Sequence, residues 1–257
     1  CKWLSSNLYI QVDGNGVAFL RRDVEHVLEE APALTKIIRG RIDHLSKNVG
    51  IVLRCASVLG ISFHTRLLYK ILPQGTAETE EDLLDALALL DVANFLQPVD
   101  EGSMWQFKSS IYREVAYGCM LRESKRKLHW QAAEQLQSML PGSEEEPSGS
   151  IALQEIRYFE EELVAHVVKG LNLLTASQDT TFVSESKRIR DGTRAITWLV
   201  ELNLNRGYID RAWEDQAKLH EALNGLDPDN NNWLLEAKFS VNEATMRLLT
   251  RVCSIAQ

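Results

Sequence analysis

The sequence holds little that would support chemistry at a thiol or metal centre. It has four cysteines in 257 residues, and no two of them lie close together, which excludes the Cys-x-x-Cys spacing of metal and redox motifs. No Asn-x-Ser/Thr acceptor for N-glycosylation occurs. Both absences are typical of proteins in a reducing compartment, so we expect a cytoplasmic location. No apolar run is long enough to span a bilayer, and no signal-peptide pattern is present.

An excess of positive charge is also missing. The formal net charge is −8, and the two halves of the chain differ. Residues 1–140 carry 16 Lys and Arg against 17 Asp and Glu, whereas residues 141–257 carry 12 against 19. A protein that binds a phosphate backbone needs a basic face. The charge distribution therefore disfavours nucleic acids and anionic membranes as partners.

Common catalytic motifs are absent as well. Neither the Gly-x-Ser-x-Gly motif of serine hydrolases nor a Gly-x-x-x-x-Gly-Lys-Ser/Thr phosphate-binding loop occurs. No other histidine or cysteine lies three or four residues from any of the six histidines, which argues against a metal site. We therefore expect no catalytic residue and no metal ligand in this chain. His129 and His166 are expected to pack or hydrogen-bond inside helical hairpins.

The apolar periodicity that is present predicts a mainly α-helical chain with two short β-hairpins. Residues 8–20 alternate apolar and polar positions around a Gly/Asn turn, which predicts the first hairpin. From residue 34 to residue 59 the apolar spacing is helical, with Gly50 as a candidate break and Gly60 as a candidate stop. Residues 63–72 are expected to form a short helix that ends before proline.

The next segment predicts a capped helix followed by the second hairpin. Thr79 precedes an acidic first turn and is a plausible N-cap. The apolar residues expected on the buried side of this helix are Leu83, Leu84, Leu87, Leu90 and Phe95. Residues 95–99 and 104–107 read as two strands, and Pro98 restricts the first of them to a sheet edge. Residues 111–120 and 124–140 read as two more helices. The order of helix, helix, helix, hairpin and helix is that of a winged-helix domain with a C-terminal extension.

Residues 141–152 have the composition of a linker, and the rest of the chain is helical in pattern. The helical stretches are 153–176, 184–205, 208–224 and 233–254, which predicts antiparallel helical hairpins. A tetratricopeptide register is met only in part, because Gly207 and Ala212 are correctly spaced while the expected proline is out of register. Five aromatic residues sit at helical spacing here, and packing between hairpins is favoured for them over an aromatic groove for a peptide. They are Trp198, Tyr208, Trp213, Trp233 and Phe239.

Several short motifs in residues 36–140 resemble the region that follows the nucleotide-binding core in STAND-type signalling ATPases of the AAA-related class. The first is Arg41-Ile-Asp43-His-Leu45, followed by Ala-Ser-Val-Leu-Gly-Ile-Ser-Phe at 56–63. The second is Phe-Lys-Ser-Ser-Ile-Tyr-Arg-Glu-Val-Ala-Tyr at 107–117. Arg-Lys-Leu-His at 126–129 and Leu-Val-Ala-His at 163–166 follow in the family's order. The likeness is greatest to the ATPases fused to class III nucleotide cyclases, as in the soluble, type 10 adenylyl cyclases.

The resemblance implies an organisation and a set of partners. Residues 1–35 would be a hairpin and the tail of an upstream ATPase lid, 36–140 a winged-helix-like domain, 141–152 a linker, and 153–257 a helical-repeat region. The chain would be a non-catalytic regulatory segment that contacts an upstream nucleotide-binding domain and protein partners in cAMP-forming signal transduction. ATP and Mg²⁺ would belong to the parent protein, with no cofactor in this segment.

The same resemblance nominates residues that face another domain or its nucleotide. They are Arg41, Asp43, Ser109 and Arg113, and Ser109 stands where the family usually has histidine. Ordinary solvated helix charges and local capping are the alternatives for these positions. A DNA-binding transcriptional regulator with this kind of ATPase tail is the alternative function. The basic cluster at 122–127 would favour it, but the helix that would enter DNA has three aspartates and no basic residue. A solvated face or an internal contact to the acidic half of the chain is therefore favoured for the cluster.

Overall fold

The structure is a computed structural model, and it describes residues 10–12, 18–20, 32–99, 102–140, 153–174, 182–224 and 245. Within these residues the protein is mainly α-helical, as predicted, with a small three-stranded sheet. The chain divides into two compact units, residues 1–120 and 121–257. No helix in the described part of the chain has the length and hydropathy needed to cross a membrane.

The described part of the first unit contains five helices and five strands. The helices are α1 (Pro32–Asp43), α2 (Lys47–Leu59), α3 (Thr65–Ile71), α4 (Glu80–Val92) and α5 (Ser110–Gly118). The strands are β1 (Ile10–Val12), β2 (Ala18–Leu20), β3 (Ser62–His64), β4 (Leu96–Pro98) and β5 (Met104–Phe107). Strands β1 and β2 pair antiparallel, which confirms the first predicted hairpin, although its turn lies outside the described residues.

The second sheet has the order β3-β5-β4, and both pairings are antiparallel. Phe63 lies opposite Trp105, and Pro98 lies in an edge strand as predicted. The sequence placed Phe63 and His64 at the start of a helix, which was wrong. A three-residue strand is too short to show the alternation that distinguishes it from a helix, and its partner strand is about forty residues away.

The break between the first two helices lies at residues 44–46 and not at Gly50, where the sequence suggested one. The amide of Gly50 donates to the carbonyl of Ser46 at 2.9 Å, so the glycine continues α2. The chain instead turns where the amide of Leu45 donates to the carbonyl of Ile42 at 3.1 Å. Helix α2 does end at Gly60, as predicted, with a φ of 136° that only glycine adopts readily.

Helix α4 begins with a complete capping box. The Thr79 hydroxyl accepts from the amide of Asp82 at 3.1 Å, and the Asp82 carboxylate accepts from the amides of Thr79 at 2.8 Å and Glu78 at 3.0 Å. These amide donors lower the pKa of Asp82 below its ordinary value, and the threonine backbone has the largest effect. The predicted N-cap is therefore confirmed.

The core of the first unit is formed where α2, α4, α5 and the three-stranded sheet meet. The apolar side chains that are at most 3% exposed there include Val52, Leu53, Phe63, Leu83, Leu87, Leu90, Phe95 and Phe107. Leu84 was predicted to be buried with its neighbours, but it is 44% exposed. Leu84 lies about 100° around the helix from Leu83, beyond the side that Leu83, Leu87 and Leu90 turn to the core.

The second unit is helical throughout its described residues. It contains α6 (Arg122–Met139), α7 (Leu153–Asn172), α8 (Phe182–Asn205) and α9 (Ile209–Asn224). The sequence assigned α6 to a first domain ending at residue 140, whereas in the structure it packs along α7 within the second unit. Its buried apolar face packs against that of α7, and no local sequence pattern predicts this pairing. The linker, the helix at 233–254 and the side chains of Trp233 and Phe239 lie outside the described residues, residue 245 excepted.

Trp130 marks the centre of the second unit. Its ring is 1% exposed and lies against two glycines on neighbouring helices. A Cβ atom added to Gly170 would lie 2.9 Å from Cε2 of the ring, and one added to Gly192 would lie 3.0 Å from Cζ3. Because Gly170 and Gly192 have no side chain, α7 and α8 can pack closely against the Trp130 ring of α6. By contrast, Trp198 and Tyr208, which were predicted to pack between hairpins, are 38% and 43% exposed.

Candidate functional site

Arg41 is the first of the four nominated residues, and it joins three elements of the first unit. Its Nη2 donates to the carbonyl oxygen of Ala93 at 2.5 Å, and its Nη1 lies 3.5 Å from the hydroxyl of Tyr112. The guanidinium carbon lies 4.6 Å from the centre of the Phe95 ring and 5.5 Å from that of Tyr112. The side chain is half-buried, so the hydrogen bonds and cation–π contacts tie α1 to the end of α4 and to α5.

Lys108, from the second motif, also binds at the end of α4. Its ammonium group lies 2.8 Å from a carboxylate oxygen of Asp91, and it donates to the Asp91 carbonyl at 3.2 Å and the Asn94 side chain at 3.1 Å. Asn94 has a φ of 59°, and the amide of Phe95 donates to the carbonyl of Leu90 at 2.9 Å. This is a Schellman termination in which an asparagine takes the left-handed position.

Two cations therefore meet the C-terminal end of α4. The last carbonyls of a helix carry partial negative charge, so the Arg41 guanidinium and the Lys108 ammonium are both placed where a cation stabilises it. The Asp82 carboxylate of the capping box lies at the opposite end. Both ends of α4 are thus electrostatically satisfied from within its own unit.

Ser109 and Arg113 also make contacts inside the first unit. The Ser109 hydroxyl accepts from the amide of Ile111 at 3.3 Å and is the N-cap of α5. Arg113 Nε donates to the carbonyl of Ser57 at 3.1 Å, and its guanidinium pairs with Glu114 and faces the Tyr117 ring at 5.8 Å. Burial raises the pKa of Tyr117, and Arg113 opposes that rise. Local capping and pairing account for what both residues contact here.

Asp43 differs from the other three nominated residues. It is the last residue of α1, and its side chain is exposed. Arg41, Ser109 and Arg113 each contact the interior of the unit, whereas Asp43 faces solvent. The structure therefore does not gather the four residues into one pocket, and Asp43 alone presents a charge outward.

The outer face of α4 is a feature that sequence reasoning missed. Leu84, Leu89 and Val92 are 44%, 56% and 80% exposed, and Ala88 between them is exposed as well. On a helical wheel these residues span an arc opposite the buried Leu83, Ala86, Leu87 and Leu90. The apolar residues of this arc are visible in the sequence, but which apolar side of α4 is buried is decided by the fold. We call the four exposed apolar residues the outer face of α4.

The charges on α4 are all of one sign. The helix carries five acidic residues and no Lys or Arg. Asp82 belongs to the capping box, and Asp91 pairs with Lys108. Glu81 and Asp85 are exposed and lie within the arc of the outer face. The surface is therefore apolar with carboxylates in it and repels a phosphate backbone.

The second unit contains a buried pair of histidines between α6 and α7. The Nδ1 atoms of His129 and His166 are 2.7 Å apart, and the two residues are 0% and 1% exposed. One of the two Nδ1 atoms donates its proton to the other, and Nε2 of His166 lies 3.5 Å from a carboxylate oxygen of Glu162. The prediction that these histidines hydrogen-bond inside a helical hairpin is confirmed.

A buried carboxylate joins the later helices of this unit. Glu160 is 1% exposed and lies 2.7 Å from a guanidinium nitrogen of Arg206 and 3.8 Å from one of Arg211. On α9, burial raises the pKa of Asp215 to about 6, although Arg211 and Lys218 oppose the rise. Glu160 lies on α7, Arg206 directly follows α8 and Arg211 lies on α9, so we interpret them as structural ionic contacts.

The basic cluster at the start of α6 is only partly solvated. Arg126 is 8% exposed, so it does not lie on a solvated face. Nε of Arg122 donates to the carbonyl of Leu173 at 3.1 Å, a contact with the acidic half of the chain, which is the other outcome expected for this cluster. An open groove of about 550 Å³ lies elsewhere in the unit, and Arg188 and Glu134 pair across it at 2.9 Å. Its lining is of mixed charge and consists of Glu134, Gln137, Lys187, Arg188, Asp191 and Arg194.

Metal clusters and reactive thiols are two further kinds of site that the described residues allow us to examine. No group of three or more His, Cys, Asp or Glu side chains that could hold a metal ion occurs there. Burial raises the pKa of Cys55 to about 12, so its thiol is inert as a nucleophile. Comparison of the chain with known protein families, curated proteins and solved structures finds no match.

Proposed function

We propose that the chain is a non-catalytic regulatory and scaffolding segment of a STAND-type signalling ATPase, of the kind attached to a nucleotide cyclase. In this proposal the first unit, with helices around a three-stranded sheet, is winged-helix-like and packs on an upstream nucleotide-binding core. The second unit is the beginning of a TPR-like helical repeat that binds protein partners. The protein acts in the cytoplasm.

One observation carries the proposal. The motif residues that resemble the ATPase tail, Arg41, Lys108 and Arg113, are far apart in sequence, yet each of them secures a helix of the same unit. Proteins that share this arrangement of helices and strands would be expected to share the residues that hold it together. Their contacts support the kinship through packing and require no catalytic role.

The contact with the nucleotide-binding core is assigned to exposed charge. Asp43 is the outward-facing member of the nominated set, so we assign it the inter-domain contact. Ser109 uses its hydroxyl to cap α5, so it brings no charge to a bound nucleotide. ATP and Mg²⁺ belong to the parent protein, because this chain has no phosphate-binding loop and we assign none of its residues to them.

The alternative of a DNA-binding regulator is disfavoured by α4. In a winged-helix protein that reads DNA, the corresponding helix enters the major groove and meets phosphates. Here that helix has five acidic residues and no basic ones. The same surface is compatible with a protein partner.

The test begins with the transcript that encodes this chain. Amplifying the 5′ end of the transcript should reveal a Walker A motif upstream of this chain. The whole protein and a variant carrying Asp43→Asn are then expressed. We expect the variant to keep the wild-type melting temperature and to change the nucleotide turnover of the parent protein. Arg41→Lys serves as the comparison, because it should lower stability first. Absence of a nucleotide-binding domain upstream would refute the proposal.

A further inference from the structure

The outer face of α4 is unusual because the helix is apolar on both sides. Its inner side packs on α2 and β4 through Leu83, Leu87 and Leu90, which are 0% exposed. The outer face repeats the apolar pattern at a spacing of four residues, through Leu84, Ala88 and Val92. Residues at i and i+4 form a continuous ridge on a helix. Such a ridge is what a helix presents when it lies between two packed surfaces.

The helix is rigid enough to serve as a template. The capping box holds its first turn, and Arg41 and Lys108 bind the carbonyls at its end. A surface that is ordered before it binds loses little conformational entropy on association. The exposed side chains therefore stand on a helix whose position is set by its own unit.

Charge indicates the partner. Glu81 and Asp85 lie within the arc of Leu84, Ala88 and Val92, and no basic residue occurs on the helix. Apolar side chains with carboxylates among them complement apolar side chains with lysine or arginine among them. Nucleic acid has no apolar ridge and carries the wrong sign of charge.

We propose that the outer face of α4 is a docking surface for a basic amphipathic helix of a partner protein. The partner helix would lay leucine-like side chains against the ridge and place lysines or arginines beside Glu81 and Asp85. This surface is independent of the STAND ATPase assignment, because it follows from the exposure and charge of α4 alone.

The probe for this surface is a synthetic amphipathic peptide titrated against the full chain. The peptide carries leucines at every third or fourth position with lysines beside them, over a length of about 18 residues that can hold a helix. A second peptide replaces every lysine with glutamate, and a third scrambles the order. We expect the lysine peptide to bind and to shift amide resonances of residues 80–92, with affinity falling as salt rises. The glutamate and scrambled peptides should not bind at this site.

Two sets of variants identify the surface. The face variant Leu84→Gln, Leu89→Gln and Val92→Gln keeps good helix formers on α4 and should weaken binding at least about tenfold. The control variant Ile37→Gln and Ile61→Gln removes two other exposed apolar residues of the first unit, 63% and 45% exposed, and should leave the affinity unchanged.

The charge variant Glu81→Gln and Asp85→Asn should weaken binding about threefold to tenfold and remove most of its salt dependence. Equal affinity of the peptide for the wild type, the face variant and the control variant would overturn the proposal. Peptide-induced shifts of amide resonances that are confined to residues outside α4 and the elements packed on it would also overturn the proposal. Concentration-dependent self-association of the wild type that is lost in the face variant would overturn it in favour of a second copy of this chain.

Discussion

A few single side chains in this protein connect segments that are far apart in sequence. Arg41 contacts Ala93, Phe95 and Tyr112, which are more than fifty residues away in sequence. Each contact is modest, but they are made by one half-buried group and so are lost together. Arg113 connects α5 to α2 in a similar way through the carbonyl of Ser57.

Replacing Arg41 should therefore affect stability in a graded manner. Arg41→Ala removes the hydrogen bond to Ala93 and both aromatic contacts, and we expect it to lower the unfolding free energy of the first unit by about 2–3 kcal/mol. Arg41→Lys keeps a charge near the helix end but loses the planar stacking, and should cost about 1 kcal/mol. Urea denaturation followed by circular dichroism measures both. A lysine variant as unstable as the alanine variant would show that charge contributes little.

A buried acid in the second unit should give a pH dependence with a defined sign. Burial raises the pKa of Asp215 to about 6 in the folded state, against an ordinary value of 3.8. The folded form therefore binds the proton more tightly than the unfolded form, so this group favours folding below about pH 4 and opposes it above about pH 6. Asp215→Asn removes that penalty. We expect it to stabilise the protein by about 1–2 kcal/mol at pH 8 and by little at pH 4, after allowance for partial solvent screening.

Thermal denaturation from pH 4 to pH 8 measures the effect. Asp210→Asn is the matched control, because Asp210 lies on the same helix with an exposed side chain. A parallel pH profile for the wild type and Asp215→Asn would contradict the assignment.

Helices in this protein are defined at their ends as much as by their faces. Helix α4 begins at a capping box and ends at a Schellman motif that two cations reinforce. Helix α2 begins at Ser46, whose side chain makes no capping hydrogen bond, and ends at a glycine. The contrast provides a matched pair of N-caps in one unit.

The capping difference can be measured directly. Thr79→Ala removes the hydroxyl that accepts from the amide of Asp82, and we expect a loss of about 1 kcal/mol in unfolding free energy. Ser46→Ala at the start of α2 should change stability by less than about 0.5 kcal/mol, because its side chain satisfies no helix amide. Amide exchange of the first turn of α4 should rise only in the Thr79 variant. Equal losses in the two variants would show that the capping box is not the cause.

Close helix packing in the second unit depends on two glycines beside Trp130. A methyl group at Gly170 would lie 2.9 Å from the indole ring, so Gly170→Ala forces the ring or the helix to move. We expect it to destabilise the unit by about 1–3 kcal/mol. Gly40→Ala is the contrast, since its Cβ would meet nothing within 4 Å in the middle of α1, and it should stabilise the protein by about 0.5–1 kcal/mol. Stabilisation by Gly170→Ala would refute the packing account.

At the scale of the whole molecule, α6 determines where one unit ends and the next begins. It carries a motif that the resemblance associates with the first unit, but its buried face, which includes Trp130 and Leu136, packs on α7. A helix belongs to the unit in which its apolar face is buried, because that burial is the main source of its stability.

Hydrogen exchange can assign α6 experimentally. Leu136→Ala should raise exchange throughout α6 and α7, since removing a fully buried leucine costs about 2–5 kcal/mol. Leu87→Ala, an equally buried leucine of α4, should raise exchange in α2 and α4 and leave α6 protected. Loss of protection of α6 in the Leu87 variant would place that helix in the first unit instead.

Local sequence signals were enough for much of this protein. The mainly helical class, the cap at Thr79, the stop at Gly60, the two hairpins and the edge position of Pro98 all followed from periodicity and backbone preferences that act over a few residues. The same information also pointed to hydrogen bonding by His129 and His166 inside a helical hairpin.

Tertiary structure decided the rest, because long-range pairing leaves no local trace. The third strand β3 exists through its partner β5, and α6 belongs to the second unit through the apolar face of α7. Arg41 is a packing residue because three distant groups converge on it. The outer face of α4 is exposed because the fold buries only one apolar side of that helix. Which side is buried depends on the elements that pack on α4, and these are distant in sequence.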